Sequence, residues 1–181
     1  MKTLSDIIDY KKEEVNTKKK LLSLTQIKEE NSNYFPTRPF LKKIETNRSE
    51  ISIISEIKKA SPSKGVIRSD FNPVEIGQIY ERNGATCLSI LTDKKFFQGD
   101  DKFIKAVKSK VSLPVLRKDF IIDEWQIEES RYLGADCILL IFSCLSFDQA
   151  KEYEEHAFSL GMNVIVEVHD NKEAENALKY E

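Results

Sequence analysis

Apolar, β-branched runs alternate with amphipathic segments along most of this chain, and that alternation constrains the fold more than any other feature. The runs are Ile51–Ile57, Ala85–Leu91, Pro114–Lys118, Cys137–Phe142 and Asn163–Val168. Between them lie segments with helical spacing, Pro73–Asn83, Asp101–Ser109, Asp123–Leu133 and Phe147–Leu160, with another from Asn171 to Tyr180. Three times a helix ends in Gly and a strand begins directly: Gly84-Ala85, Gly134-Ala135 and Gly161-Met162. Gly tolerates the left-handed turn that ends a helix. The stretches GATCLSIL and GADCILLI are alike enough to read as a weak repeat of one αβ unit. Strands that are apolar on both faces, each followed by a helix, predict an α/β fold with a parallel sheet covered by helices. A doubly wound sheet and a closed (β/α)8 barrel both satisfy this pattern. No G-x-G-x-x-G turn follows a strand, which counts mildly against a dinucleotide-binding sheet.

The N-terminal part is different. Leu4, Ile7, Ile8, Val15, Leu21, Leu22 and Leu24 recur at helical spacing among Lys and Glu, predicting one long helix from Thr3 to Leu24. A turn-rich break over Asn31–Pro39 and a short helix over Pro39–Thr46 follow. The expected organisation is a helical extension, residues 1–47, ahead of an α/β unit, residues 48–181. Lys18-Lys19-Lys20 reads as a solvated helix face.

Composition excludes several classes. With 28 basic and 30 acidic side chains the net charge is -2, too even to draw nucleic acid or an anionic membrane. No apolar run approaches the roughly 20 residues that span a bilayer, and Met1–Tyr10 carries charges throughout, unlike a signal peptide. Cys87, Cys137 and Cys144 are odd in number and lack CxxC spacing. They read as small buried hydrophobes in a reducing compartment, so a cytoplasmic location is expected. His156 and His169 have no partner at metal-ligand or triad spacing, and no metal is assigned. Trp125, at a helix start, reads as packing.

In parallel α/β folds the working residues gather at the C-terminal ends of strands. Here those ends carry Glu56 and Lys58, Lys118, and Glu167. Residues two apart leave the same face of a strand, so Glu56 and Lys58 point together. Taken singly, Glu56 and Lys58 could seal a barrel end as an ion pair, Lys118 could be a surface lysine, and Glu167 a loop carboxylate. Four charges at the ends of neighbouring strands are harder to dismiss and offer acids and bases to one ligand. The segment Lys58–Gly65 is rich in Lys and Ser and suits an anion or a movable lid, and equally a plain loop.

Several blocks together are closely similar to indole-3-glycerol-phosphate synthase: IISEIKKASPSKG from Ile53, LSILTDKKFFQGD from Leu88, PVLRKDFIIDEWQI from Pro114, RYLGADCILLI from Arg131 and GMNVIVEVHD from Gly161. The resemblance implies a (β/α)8 TIM barrel with an N-terminal helical extension, present here as an incomplete barrel of about five strands. It implies a carboxy-lyase of tryptophan biosynthesis. That enzyme turns 1-(2-carboxyphenylamino)-1-deoxyribulose 5-phosphate into indole-3-glycerol phosphate, carbon dioxide and water, without cofactor or metal. By resemblance Lys118 is the general acid and Glu167 the general base. Lys58 contacts the substrate anion, and Glu56 stabilises a cationic intermediate. Ser61, Ser89, Phe97, Phe120 and Leu139 line the pocket. A complete barrel typically takes about 250 residues and builds its phosphate site after strands 7 and 8. The expectation is therefore a fragment, inactive alone and prone to aggregate through unpaired strand edges. The competing readings are a related phosphate-binding isomerase of the phosphoribosylanthranilate type, and a non-catalytic piece that needs a C-terminal partner. Fusion to other tryptophan-pathway domains is left open.

Overall fold

The computed structural model describes residues 3–31, 36–47 and 51–179. Five parallel strands form one sheet: β1 (Ile54–Ile57), β4 (Cys87–Leu91), β5 (Val115–Lys118), β6 (Cys137–Ile141) and β7 (Asn163–Glu167). A two-stranded hairpin, β2 (Ala60–Ser61) and β3 (Gly65–Val66), follows β1. The sheet order is β1-β4-β5-β6-β7, so each new strand joins the same growing edge. A doubly wound sheet reverses its strand order at a switch point. No reversal occurs here, and a singly wound parallel sheet with a helix after each strand is the arc of a barrel.

The helices begin and end where local chemistry dictates. α4 (Pro73–Arg82) starts with Pro after Asn72, whose side chain accepts from the Val74 and Glu75 amides. α7 (Glu124–Leu133) is capped by Asp123 and stops at Gly134, whose φ is +91°. α8 (Phe147–Ser159) opens with a capping box between Ser146 and Gln149. α9 (Asn171–Ala177) is capped by Asp170; Tyr180, in the sequence reading of this helix, lies outside the described residues.

Strand parity sorts the core into two faces. Ile57, Leu88, Ile90, Val115, Ile138 and Leu140 pack outward against the helices. Cys87, Leu116, Cys137, Leu139 and Ile141 point into the arc, where Phe40 of α3 (Phe40–Glu45) plugs the lower end. Cys87 and Cys137 are free thiols in this apolar interior, and burial pushes the Cys87 thiol up to about 11.

The N-terminal extension departs from the sequence reading. The expected helix over Thr3–Leu24 is α1 (Leu4–Leu21), and a second helix that was not expected, α2 (Leu24–Asn31), follows it. The chain turns at Leu22, and Ser23 restarts it, exchanging hydrogen bonds with Gln26 as a second capping box. The bend lets Val15 of α1 and Ile27 of α2 close over Trp125, whose indole N–H donates to the Leu22 carbonyl. Residues 32–35 of the expected break, and 48–50 at the start of the expected α/β unit, lie outside the described residues.

The Lys18–Lys20 run also differs from expectation. Lys18 bridges Asp101 and Glu129, each at 2.8 Å, and Lys19 reaches Asp123 at 2.7 Å. Two of the three lysines therefore tie the extension to the sheet-and-helix unit.

The deepest tie is Lys11. Its ammonium lies 2.8 Å from Glu14 and 2.9 Å from both Asp93 and Asp119, with the side chain 2% exposed. Asp119 also meets Arg117, which bonds Asp101, Glu129 and the Ser130 hydroxyl around it. Burial works against every charge in this group. For Asp119 that penalty is outweighed by Lys11 and Arg117, which together with the Thr92 hydroxyl hold its carboxyl well below the usual range. Lys11 is likewise held above the ordinary lysine value despite burial, by Asp119, Asp93 and Glu14.

Removing one member of such a buried group strands the others. Lys11→Met is expected to cost about 3–5 kcal/mol of unfolding free energy at pH 7, read by urea denaturation. The sign with pH follows from Asp119. Its folded pKa is depressed, so its contribution is present above the unfolded value near 4 and fades as pH falls through and below it. The variant, having lost the cation, starts without part of that contribution. The stability gap between the two proteins should narrow from pH 6 to pH 3; a constant gap contradicts this linkage.

Candidate active site

β1, β5 and β7 end at the same side of the sheet, and their last inward-facing residues meet there. Parity puts Glu56, Lys118 and Glu167 on the interior face, with Lys58 one step beyond β1 on the same side. Lys118 Nζ lies 3.7 Å from Glu56 Oε2 and 3.6 Å from Glu167 Oε2. Glu56 in turn accepts a hydrogen bond from the Lys58 ammonium. The four side chains form one alternating row, Lys58–Glu56–Lys118–Glu167, each 32–35% exposed. They are screened enough to interact and open enough to meet a ligand.

The row borders a cavity of about 250 Å³. Phe97, Phe120, Leu139, Leu91 and Ile141 supply its apolar wall. The Phe97 and Phe120 rings lie 6.2 Å apart at 39°, a tilted pair in contact with each other that forms one side of the wall. Of the residues singled out by sequence, Glu56, Lys58, Lys118, Glu167, Phe97, Phe120 and Leu139 line this space. Two others do not. Ser61 sits in the hairpin, accepting from the Lys64 amide and facing the Ser63 hydroxyl. Ser89 is paired with Glu56 in the strand register, 4% exposed and with no hydrogen-bond partner for its hydroxyl.

Sequence reasoning passed over several contributors. Asp119 lines the cavity while its carboxylate is held by Lys11 and Arg117. α5 (Lys94–Phe97), a single turn capped by Asp93, carries Phe97 into the wall. His169 follows β7 and stands beside the row, with Nε2 3.1 Å from Glu167 Oε1 and Nδ1 3.5 Å from Glu173 Oε2. The sequence signal for α5 was present in Asp93, an N-cap before a short run, but four residues are too few to show helical periodicity.

Residues 4–181 match the family model described as indole-3-glycerol phosphate synthase. The chain belongs to the indole-3-glycerol phosphate synthase family. It is 49% identical over 176 residues to the indole-3-glycerol phosphate synthase of Acinetobacter baylyi, covering 97% of this chain and 65% of that protein. It is 47% identical over 182 residues to the protein of the same name from Polaromonas sp. JS666, covering 97% and 69%. The likeness to the Acinetobacter baumannii protein of that name is 48%, covering 97% and 65%. The chain thus spans about two thirds of the length of the curated relatives it matches. The family is a TIM barrel, in keeping with the singly wound parallel arc.

The turn after α5 controls where Phe97 sits in this synthase-family site. Gln98 takes φ +50°, and Gly99 follows so close to β4 that a Cβ there would lie 2.4 Å from the Leu91 carbonyl oxygen. That oxygen is backbone and cannot swing away. Gly99→Ala is expected to cost about 1–3 kcal/mol of stability through the forced backbone shift. It should also displace Phe97 and weaken aromatic ligands. An unchanged urea midpoint together with unchanged ligand affinity would contradict the tight turn.

Proposed function

We propose that the site carries out the family reaction, closing the ring of 1-(2-carboxyphenylamino)-1-deoxyribulose 5-phosphate to indole-3-glycerol phosphate with loss of carbon dioxide and water. The observation that carries this reading is the row Lys58–Glu56–Lys118–Glu167 beside a cavity whose wall includes Phe97 and Phe120. It pairs acid–base groups with a surface for an aromatic ring, which the reaction needs together.

The chemistry allots the roles. Ring closure forms a bond from the aromatic carbon bearing the carboxylate to the ketone carbon of the sugar, and the ketone oxygen must take a proton. Lys118, between two carboxylates and able to exchange either for a ligand oxygen, supplies it. Carbon dioxide then leaves with its bonding pair returned to the ring. During these steps positive charge on the nitrogen side favours a nearby carboxylate, the role of Glu56. Dehydration removes the hydroxyl as water and a proton from the neighbouring carbon. Glu167 takes that proton, and Lys58 meets the substrate's carboxylate and gives a proton to the leaving hydroxyl. Both ends of the substrate are anionic, which suits two lysines at one mouth. The reading needs no cofactor or metal. It places the protein in the cytoplasm with a small anionic sugar phosphate as its partner, and no helix among the described residues is long and apolar enough to cross a membrane.

The test uses the protein as its gene encodes it, with product followed by indole fluorescence. Lys118→Ala and Glu167→Gln should each lower kcat by about 10²–10⁴ with the fold intact. Phe97→Ala should mainly raise KM. Turnover of the substrate undiminished by Lys118→Ala would overturn the role of the acid. Turnover of phosphoribosylanthranilate in place of this substrate would favour the isomerase reading.

A further inference from the structure

The row at the strand ends does not stop at Glu167. His169 lies two residues beyond Glu167, as Lys58 lies two beyond Glu56, and each reaches back to its own carboxylate. Glu56 meets the Lys58 ammonium with Oε1 and faces Lys118 with Oε2. Glu167 meets His169 Nε2 with Oε1, at 3.1 Å, and faces Lys118 with Oε2, at 3.6 Å. Lys118 thus stands between two carboxylates, each held from outside by a second donor.

The imidazole is itself held. Asp170 caps α9 and accepts from the Glu173 amide at 2.7 Å, in the first turn of the helix. From there Glu173 Oε2 accepts from the His169 amide at 2.8 Å and lies 3.5 Å from His169 Nδ1. The Ser143 hydroxyl, on the turn after β6, stands 3.4 Å from the same nitrogen. A neutral ring with its proton on Nε2 donates to Glu167 and accepts from Ser143. A charged ring donates to Glu167 and turns its second proton towards Glu173. Nε2 therefore donates to Glu167 in both states. The ring is half exposed and borders a space of about 440 Å³ that shares Phe120, Ile141 and Glu167 with the reaction cavity. Replacing it cuts no hole in the packed interior.

We infer that His169 is a positioning residue for Glu167: it fixes Oε1 and leaves Oε2 as the oxygen offered to the ligand. The inference rests on Glu167 as the base of the proposed reaction. The two distances decide between the oxygens. Oε1 is within hydrogen-bond range of its partner, whereas 3.6 Å from Lys118 leaves Oε2 unbonded in that direction. Oε2 is also the oxygen on the Lys118 side, where the cavity lies. A base works only when its accepting lone pair lines up with the bond to hydrogen that breaks, and a misplacement of about 1 Å can cost about 10²-fold in rate. Glu167 is one-third exposed, so without the His169 contact its carboxylate is free to take other rotamers.

The test compares His169→Leu, which removes the donor, with His169→Gln, whose side-chain N–H reaches the same oxygen, in the protein as its gene encodes it. Glutamate side-chain carboxyl carbons are isotope-labelled for NMR, and the Glu167 signal is assigned by its loss in Glu167→Gln. At one fixed pH that signal should move in His169→Leu and return close to its original position in His169→Gln, a readout that needs no turnover. With the proposed substrate, His169→Leu should lower kcat about ten- to a hundredfold with KM within about twofold, and His169→Gln should recover most of the loss. On top of Glu167→Gln, His169→Leu should cost nothing further, because it acts through that carboxylate. An unmoved Glu167 signal in His169→Leu, equal losses in the two variants, or an added loss in the Glu167→Gln background overturns the inference. A signal that moves and returns as expected in a protein with no turnover of this substrate upholds the contact and overturns the reaction.

Discussion

The buried ammonium of Lys11 is the interaction on which the rest of the site depends. It lies between Asp93 and Asp119, and those two carboxylates flank the parts of the chain that build the cavity. Asp93 caps the turn that carries Phe97, and Asp119 immediately follows Lys118. Arg117 grips the outer face of the same strand through Asp101, Glu129 and Asp119. Lys118 is therefore the inward residue of a segment held on both sides by buried charge. Such networks cost desolvation and repay it only when every member is paired, so their usual return is fixed geometry more than net stability. Here the geometry fixed is that of one lysine between two carboxylates.

The extension is accordingly part of the site's support. α1 delivers Lys11 and Lys18 into the network, while the bend at Leu22 lets α2 settle on α7 and cover Trp125. At the far end Phe40 of α3 fills the lower interior beside Cys87 and Cys137. The sheet thus has a charged end that is open to a ligand and an apolar end packed around Phe40.

Much of this was readable from the residues. Alternating apolar runs and the Gly84, Gly134 and Gly161 punctuation gave the order of strands and helices, because period and turn chemistry are local properties. Parity gave the shared direction of Glu56 and Lys58, and strand ends pointed to Lys118 and Glu167. The choice between sheet and barrel was not local, and it came from strand order. α2 was missed although Ser23 and Gln26 spell a capping box, since an eight-residue helix with apolar residues only at Leu24 and Ile27 shows little period. Lys11, Lys18 and Arg117 could not be told from solvated charges in sequence, because their partners are distant along the chain. Ser61 and Ser89 were carried over by resemblance alone, and neither lines the cavity.

The central claim is that Lys118, held by this frame, is the group that meets the reacting oxygen. The most direct measurement is a crystal structure of the protein with the analogue of its proposed substrate in which the sugar ketone is reduced to an alcohol. The account predicts the Lys118 ammonium within about 3.2 Å of that oxygen, with the aromatic ring against the wall of Phe97 and Phe120. An analogue bound with its alcohol away from Lys118, while Lys118 stays paired to Glu56 and Glu167, would contradict it.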